Sequence, residues 1–465
     1  MWRIINWRKS TAGEYAEARR ETEVRYPGIP EKAFHMEQRR KRKRNAEHFN
    51  TFISDSTLHG LHFCFDKKHL ARRIIWTLIL ISAFGYVGEK IYASLLQFFQ
   101  YPMSTTTTLV YDEPPIKLPA ISICNTNDFK RSIVVTTKLG DILRNKTDNI
   151  TGSEYSSLIK LGNHRLVDML VTCRQSHKTC NVKDFVEYWD NSGTVRCHTF
   201  NSGKTGPIMT INRTGTTEAI EMVINIQQYD YNDFDTAGIK LIIHGQDQTP
   251  IKTAGLLLAP GTVTNIEISK RKRVNLQHPY KTNCGSLKLK AFDSYSEHLC
   301  WLDQLTSYVV DKCGCVDAFM PGKHKVCDFK TVGCVWNNWE RFDIEQKYQC
   351  PIPCVVEEFI AKQSSAMFPS NAAADNLAID LNLSGTAMEN RLFIRENFLK
   401  FKVFFGEYSY ELVEQVPSYD LKVLLGDIGG QLGLFLGSSL LTYVEFFDCL
   451  LMIIYTKFFE VLLPR

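Results

Sequence analysis

The sequence predicts an α+β membrane protein. Two transmembrane helices flank a large, disulfide-rich, β-based extracellular domain. Three observations predict this class. Two apolar stretches, 74–99 and 421–463, lie near opposite ends of the 465 residues. Twelve of the 14 cysteines fall between positions 124 and 354, leaving only Cys64 and Cys449 outside. Four N-x-[ST] sequons, at Asn145, Asn149, Asn212 and Asn382, lie between the two apolar stretches. An even set of cysteines beside glycosylation acceptors fits an oxidising compartment and a disulfide framework. A metal reading of Cys313-Gly-Cys315 and Cys350-Pro-Ile-Pro-Cys354 lacks the second pair and histidines of a zinc finger. No metal and no cofactor is therefore expected.

Residues 1–70 read as a cytoplasmic arm ending in a pre-membrane segment. Its Lys41-Arg-Lys-Arg44 run is a solvated basic stretch or touches anionic lipid. Lys plus Arg is 55 against 50 Asp plus Glu, a balance that argues against a nucleic-acid partner. His59-Gly60 sits in a small apolar cluster, where glycine permits a tight turn. Residues 71–99 form the first span. IIWTLILISAFGYVG, 74–88, is short of the ~20 apolar residues that a crossing needs, and IYASLLQFF beyond Glu89 and Lys90 extends it. A buried helix of a soluble core is the other reading of this piece. Lys67, Lys68, Arg72 and Arg73 crowd its N-terminal side, so positive-inside bias keeps that side cytoplasmic. Two spans then return the C-terminus to the same side of the plasma membrane.

Residues 100–425 form the extracellular domain. STTTT, 104–108, favours extended backbone, and LPAISIC, 118–124, alternates as an inner strand. Parts of 128–195 read as helical. Strand-like pieces recur at 208–213, 221–228, 238–244 and 262–268 between Gly, Pro and Asp punctuation. Lys270-Arg-Lys-Arg273 reads as a solvated strand edge or loop. Residues 284–354 hold eight cysteines and read as a stiff, disulfide-packed lever rather than an ordinary core. Within them, 296–312 has a helical face of Trp301, Leu302, Leu305 and Val309. Residues 355–379 read as a second helix, and 391–413 as strands returning to the membrane.

The second span, 426–460, ends in a cytoplasmic tip at 461–465. Asp427 stands at its mouth; Gly429, Gly430, Gly433 and Gly437 thin it; Glu445 and Asp448 sit deeper. Carboxylates at membrane depth are costly unless they meet water or a base. The segment is therefore the wall of an aqueous pore made by several copies, or a glycine-rich packing helix whose acids are paired. On the pore reading, small residues at Gly437-Ser438-Ser439 allow a constriction, and the acids favour cations. No GxSxG, HExxH, P-loop or dinucleotide fingerprint is present, so no catalytic residue and no enzyme is expected.

These features resemble the degenerin/epithelial sodium channel family, most nearly its acid-sensing and peptide-gated branches. The resemblance rests on His59-Gly60, LPAISICN at 118–125, Ala259-Pro260-Gly261, the cysteine ladder and GDIGGQLGLFLGSSLLTYVEFFD at 426–448. It covers about 50–465. It implies a trimer of identical or related subunits passing Na+ and sensitive to amiloride, with palm, β-ball, knuckle, finger and thumb parts. It implies disulfides Cys124–Cys197, Cys173–Cys180, Cys284–Cys354, Cys300–Cys350, Cys313–Cys334 and Cys315–Cys327. A further thumb bridge of the acid-sensing relatives is replaced by Gln304 and Tyr348. The implied roles are Gly437, Ser438 and Ser439 as selectivity filter, with Asp427, Glu445 and Asp448 along the pore. His59, Gly60 and Gly426 would serve gating, as would a contact between Tyr101 and Tyr280.

The departures concern the stimulus. Pro102 and Met103 stand where acid-sensing relatives carry histidines. Gln246-Asp247-Gln248 keeps one carboxylate of an acidic pair, leaving Asp247 as the proton site. The expected function is a sodium-selective channel opened by extracellular protons or a neuropeptide. The alternatives are mechanical or constitutive gating, or a two-span receptor or adhesion protein that conducts nothing.

Overall fold

The protein is described here by a computed structural model covering residues 50–462, except 55, 57, 67, 145, 147–148, 177, 190–195, 233–234, 247, 251–254 and 346–347. It divides into two units. One takes in the described residues up to Gln100 and from Tyr419 onward; the other is Tyr101–Ser418.

In the first unit, α1 (Leu61–Cys64) is one turn that leads to α2 (Leu70–Phe99). At 30 residues α2 is about 45 Å long, more than the hydrocarbon thickness of a bilayer. Only Leu80, Val87 and Ser94 are buried, at seven-residue spacing, so one narrow stripe packs within the protein. Ile74, Ile75, Leu78, Ile79 and Ile81 are exposed around the rest of the helix. A largely apolar exposed surface of this kind suits lipid rather than water.

The second unit opens with the threonine-rich β1 (Met103–Tyr111), then β2 (Ile116–Lys117) and β3 (Ala120–Asn125). Helices α3 (Arg131–Thr136), α4 (Leu139–Leu143), α5 (Gly152–Gly162) and α6 (Leu166–Met169) follow. Short strands come next: β4 (Leu170–Gln175), β5 (Lys178–Thr179), β6 (Phe185–Trp189), β7 (Arg196–Phe200) and β8 (Thr210–Ile211). They are followed by β9 (Ile220–Asn225), β10 (Ile239–His244), β11 (Leu256–Leu258) and the longer β12 (Thr262–Val274). The run ends with α7 (Glu297–Cys313), α8 (Phe329–Ile344), β13 (Val355–Met367), α9 (Asn371–Asp380), α10 (Ala387–Asn397) and β14 (Phe398–Pro417).

A seven-stranded sheet runs β13-β12-β14-β9-β4-β5, with β1 also on β14. β14 is 20 residues long; β12 runs parallel to it along one side, and two strands share its other side in turn. Its first part, Phe398–Val403, pairs with β9, and Ser409–Pro417 pairs antiparallel with β1. A five-stranded sheet runs β11-β10-β3-β7-β6. Its middle strand β3 is buried at every residue, so it is covered on both faces instead of alternating. The polar Ser122 there is satisfied by Thr199 Oγ1 at 2.6 Å and His244 Nε2 at 2.8 Å. Ile121, Ile123, Phe200, Met222, Ile239 and Phe401 belong to one core shared by the two sheets. Six disulfides close in this unit: Cys124–Cys197, Cys173–Cys180, Cys284–Cys354, Cys300–Cys350, Cys313–Cys334 and Cys315–Cys327.

Several sequence expectations are corrected. Residues 355–379 are not one helix: Val355–Met367 is strand β13, paired along its whole length with β12, and only Asn371–Asp380 is helical. The stretch 391–413 is not all strand, because α10 continues to Asn397 from a Thr386–Glu389 capping box. The strand expected at 208–213 shrinks to Thr210–Ile211. Lys270–Arg273 is neither edge nor loop. It lies in β12 between β13 and β14, where Arg271 meets Glu411 at 2.6 Å and Arg273 meets Glu358 at 3.1 Å. Nor is 284–354 a mere lever. Leu305, Val309, Val332, Val335 and Phe342 of α7 and α8 share a buried core with Leu139, Tyr155 and Ile159.

Candidate functional site

The C-terminal part of the first unit is α11 (Leu421–Leu436) followed by α12 (Leu440–Leu462). Together they are long and apolar enough to cross a membrane, but they are bent by 74° at the break. Asp420 caps the start of α11, its Oδ1 accepting the Val423 N–H at 2.9 Å. The helix stops because Gly437 takes the left-handed conformation, φ 63°. The Gly437 N–H still reaches the Gly433 carbonyl at 3.0 Å, and the Ser438 N–H reaches Leu432 at 3.3 Å. On the far side, Thr442 Oγ1 accepts the Ser439 N–H at 3.0 Å, while the Thr442 N–H donates to the Ser439 carbonyl. Gly437, Ser438 and Ser439 thus form a non-helical link with capped helix ends on both sides.

The His59-Gly60 turn packs on this link. The His59 N–H donates to the Leu436 carbonyl at 3.0 Å, and a Cβ placed on Gly437 would fall on the His59 imidazole. Gly60 is itself left-handed, φ 86°, and its Cβ would meet Trp76 of α2 at 2.7 Å. Both positions therefore need glycine for two reasons, conformation and space. Farther along, Tyr86 of α2 stacks edge-on with Phe435 at 4.8 Å, and Gln431 Nε2 reaches Ser94 Oγ at 3.4 Å. The Tyr419 hydroxyl donates to Asp427 Oδ2 and lies beside Ser94. Asp427 is thus tied to its own chain. Sequence reasoning gave no role to Trp76, Ser94 and Tyr419, which carry no motif of their own, nor to Thr442 inside the 426–448 motif.

The sequence profile of the amiloride-sensitive sodium channel family matches residues 52–157 and 135–449. The chain belongs to the amiloride-sensitive sodium channel family. It is 31% identical over 444 residues to acid-sensing ion channel 1B of Danio rerio, covering 88% of this chain and 77% of that protein. Acid-sensing ion channel 2 of Homo sapiens is 29% identical over 462 residues, covering 88% of this chain and 87% of that protein. The bile acid-sensitive ion channel of Homo sapiens is 28% identical over 440 residues, covering 86% and 85%. The chain is a membrane protein and a cation-channel subunit of this family, and not an enzyme.

In this member of the amiloride-sensitive sodium channel family, Glu445 and Asp448 lie on α12, both exposed and without an ion-pair partner among the described residues. A Cβ at Gly426, Gly429, Gly430 or Gly433 would meet nothing within 4 Å among the described residues. In the other unit, the Tyr101 and Tyr280 rings pack edge-on with centroids 5.7 Å apart. Gln415 Oε1 holds the same region by accepting from the Thr282 hydroxyl at 2.8 Å and the Leu276 N–H at 3.0 Å. Asp247 and Asn145 lie outside the described residues. Asn149, Asn212 and Asn382 are exposed. Gln304 donates to the Gln349 carbonyl at 3.2 Å and accepts its N–H at 3.1 Å. Tyr348 packs near Phe342 at 5.9 Å. Among the described residues, no group of His, Cys, Asp and Glu could hold a metal ion.

Proposed function

We propose that this chain is one of three subunits of a sodium-selective channel of the plasma membrane, opened by an extracellular proton or peptide. Gly437, Ser438 and Ser439 form the filter, Glu445 and Asp448 face the ion path behind it, and Asp427 belongs to its outer mouth. The observation that carries this reading is the glycine row of α11. A glycine inside a helix costs about 1 kcal/mol relative to alanine. At four of them, 426, 429, 430 and 433, a Cβ would meet nothing within 4 Å among the described residues. Close approach by other copies around an axis accounts for them, and water in that axis accounts for the unpaired acids of α12. His59 and Gly60, wedged between Trp76 and the break, then act as a support that can release the filter.

On this reading α2 is the first span, α11 with α12 is the second, and both termini are cytoplasmic. The cysteine-bonded unit between them in sequence is extracellular, with Tyr101–Tyr280 as a gating contact. The relatives named for acid and bile acids open two routes to a stimulus. Asp247, which lies outside the described residues, is the acid proposed to respond to protons.

Whole-cell recording during pH and peptide steps, with sodium replaced in turn by potassium and by a large organic cation, tests the proposal. Ser439→Trp is expected to reach the surface and to lose sodium-selective current. Unchanged selectivity in that variant removes the filter. A parent chain that reaches the surface and passes no current under any stimulus favours the receptor alternative.

A further inference from the structure

We propose that Asp317 is a proton-binding site built into the packing of α5 against the loop that joins α7 to α8. This concerns the disulfide-bonded unit alone and stands whether or not the membrane helices conduct. Asp317 is 3% exposed, and its neighbours Val316, Phe319 and Met320 belong to the core that includes Tyr155 and Ile159. One carboxyl oxygen, Oδ1, accepts the adjacent Ala318 N–H at 2.6 Å. The other, Oδ2, is buried with no hydrogen-bond partner among the described residues. An ionised carboxylate in such a place is costly, because it is shut off from solvent and only the neutral Tyr155 hydroxyl, not a cation, stands toward it.

The charged surroundings offer no relief. From α5 the group facing Asp317 is the Tyr155 hydroxyl, which is neutral. Asp328, at the start of α8, is occupied in accepting the Gly152 N–H at 2.8 Å. Lys323, His324 and Lys325 on the same loop and Lys330 on α8 are exposed, and no base of α7, α8 or the loop acts on Asp317 among the described residues. Burial accordingly pushes the Asp317 carboxyl up to about 6.

The joint cannot easily swing the acid out to water. The Phe329 N–H bonds the Ile150 carbonyl at 3.0 Å, and a Cβ on Gly152 would collide with the Val326 carbonyl. Cys313–Cys334 and Cys315–Cys327 staple the loop at both ends. A proton taken from water onto Oδ2 removes the charge and makes that oxygen a donor facing Tyr155. The joint is then tight in mild acid. It loosens as pH rises through about 6, where the proton leaves and the bare carboxylate stays buried.

Hydrogen exchange of the full-length purified protein tests this, read at peptides spanning 150–162 and 314–329 and corrected for intrinsic chemistry. Protection there is expected to fall about tenfold between pH 5 and pH 8 as the proton is lost. Asp317→Asn, neutral at every pH, is expected to hold its protection constant. Tyr155→Phe is expected to keep the transition and move its midpoint upward, because the hydroxyl favours the ionised acid. The proposal is overturned if wild-type protection is pH-independent, or if Asp317→Asn keeps the wild-type transition. Should the Asn variant fail to fold, an unmoved midpoint in Tyr155→Phe overturns it as well.

Discussion

The His59 imidazole lies against the Cα of Gly437, so two positions far apart in sequence share one volume in the fold. The His59 N–H to Leu436 hydrogen bond, 3.0 Å long, holds the turn there. Any side chain at 437 must displace the imidazole and also adopt a positive φ of 63°. Gly437→Ala is therefore expected to cost at least about 1 kcal/mol from backbone strain alone. Combining it with His59→Ala is expected to recover the steric part and leave the backbone part. Thermal stability of the four proteins in detergent forms the cycle, and strictly additive losses would show that the contact is absent.

Tyr419 and Asp427 support a second expectation. The hydroxyl is the hydrogen-bond donor to the Asp427 carboxylate, and Ser94 and Gln431 gather around the same point on α2 and α11. A hydrogen bond to a charged group contributes about 1.5–3 kcal/mol. Tyr419→Phe removes the bond and keeps the ring. Amide exchange over the first turns of α11 is expected to rise about tenfold, since ~1.4 kcal/mol is a factor of ten. Asp427→Asn should give a smaller rise, and the double variant should add little to Tyr419→Phe. Exchange in Tyr419→Phe that matches the parent would mean the latch contributes nothing.

Gln304 makes a two-way hydrogen bond with the Gln349 backbone, at 3.2 and 3.1 Å. The Cys300–Cys350 bond lies beside it, with Gln304 Nε2 3.3 Å from the Cys300 sulfur. Gln304→Ala leaves both backbone groups of Gln349 to water. A loss of about 1–2 kcal/mol follows from two neutral hydrogen bonds at a half-exposed site. Protease nicking between 344 and 350 is the direct measurement: a several-fold faster cut in the variant is expected, and an equal rate would count against the bridge.

Much of the architecture was legible because its signals are local. The apolar stretches at 74–99 and 421–463, the cysteine interval and the β-branched run of β1 each announce themselves in consecutive residues. Glu357, Glu358, Ala361, Lys362 and Gln363 suit a helix, whereas the valines and Phe359 of the same stretch suit a strand. Thirteen-residue pairing with β12, a long-range event, decides for strand. The ion pairs of Lys270–Arg273 were equally hidden, since their partners arrive from β13 and β14. At the candidate site, the glycine and two serines of 437–439 stand out as a motif, but the packing of His59 on Gly437 and of Trp76 under Gly60 does not. Asp317 gives no sequence cue at all. It becomes unusual only when α5 covers it.

The buried histidines make acid work in the opposite sense to Asp317. His164 lies between Gln227 Oε1, 2.8 Å from Nδ1, and Asn127 Nδ2, 2.7 Å from Nε2. Those contacts fit a neutral ring that donates from Nδ1 and accepts at Nε2. His198 is also buried, and its Nε2 has no partner among the described residues. Burial lowers both rings to about 4 from the usual 6.5. The folded pKa is depressed, so the unfolded chain binds the proton first. Stability is whole above pH 6.5 and is lost as pH falls toward 4. Each ring accounts for on the order of 3 kcal/mol by pH 4, and losses of this size accumulate over the interval. Urea unfolding of the purified protein at pH 7.5, 6, 5 and 4 measures the slope. His164→Gln keeps an acceptor and donor in the ring's place and cannot titrate, so its slope should be about half the parent's. A variant as acid-labile as the parent would assign the slope to His198 or to groups elsewhere.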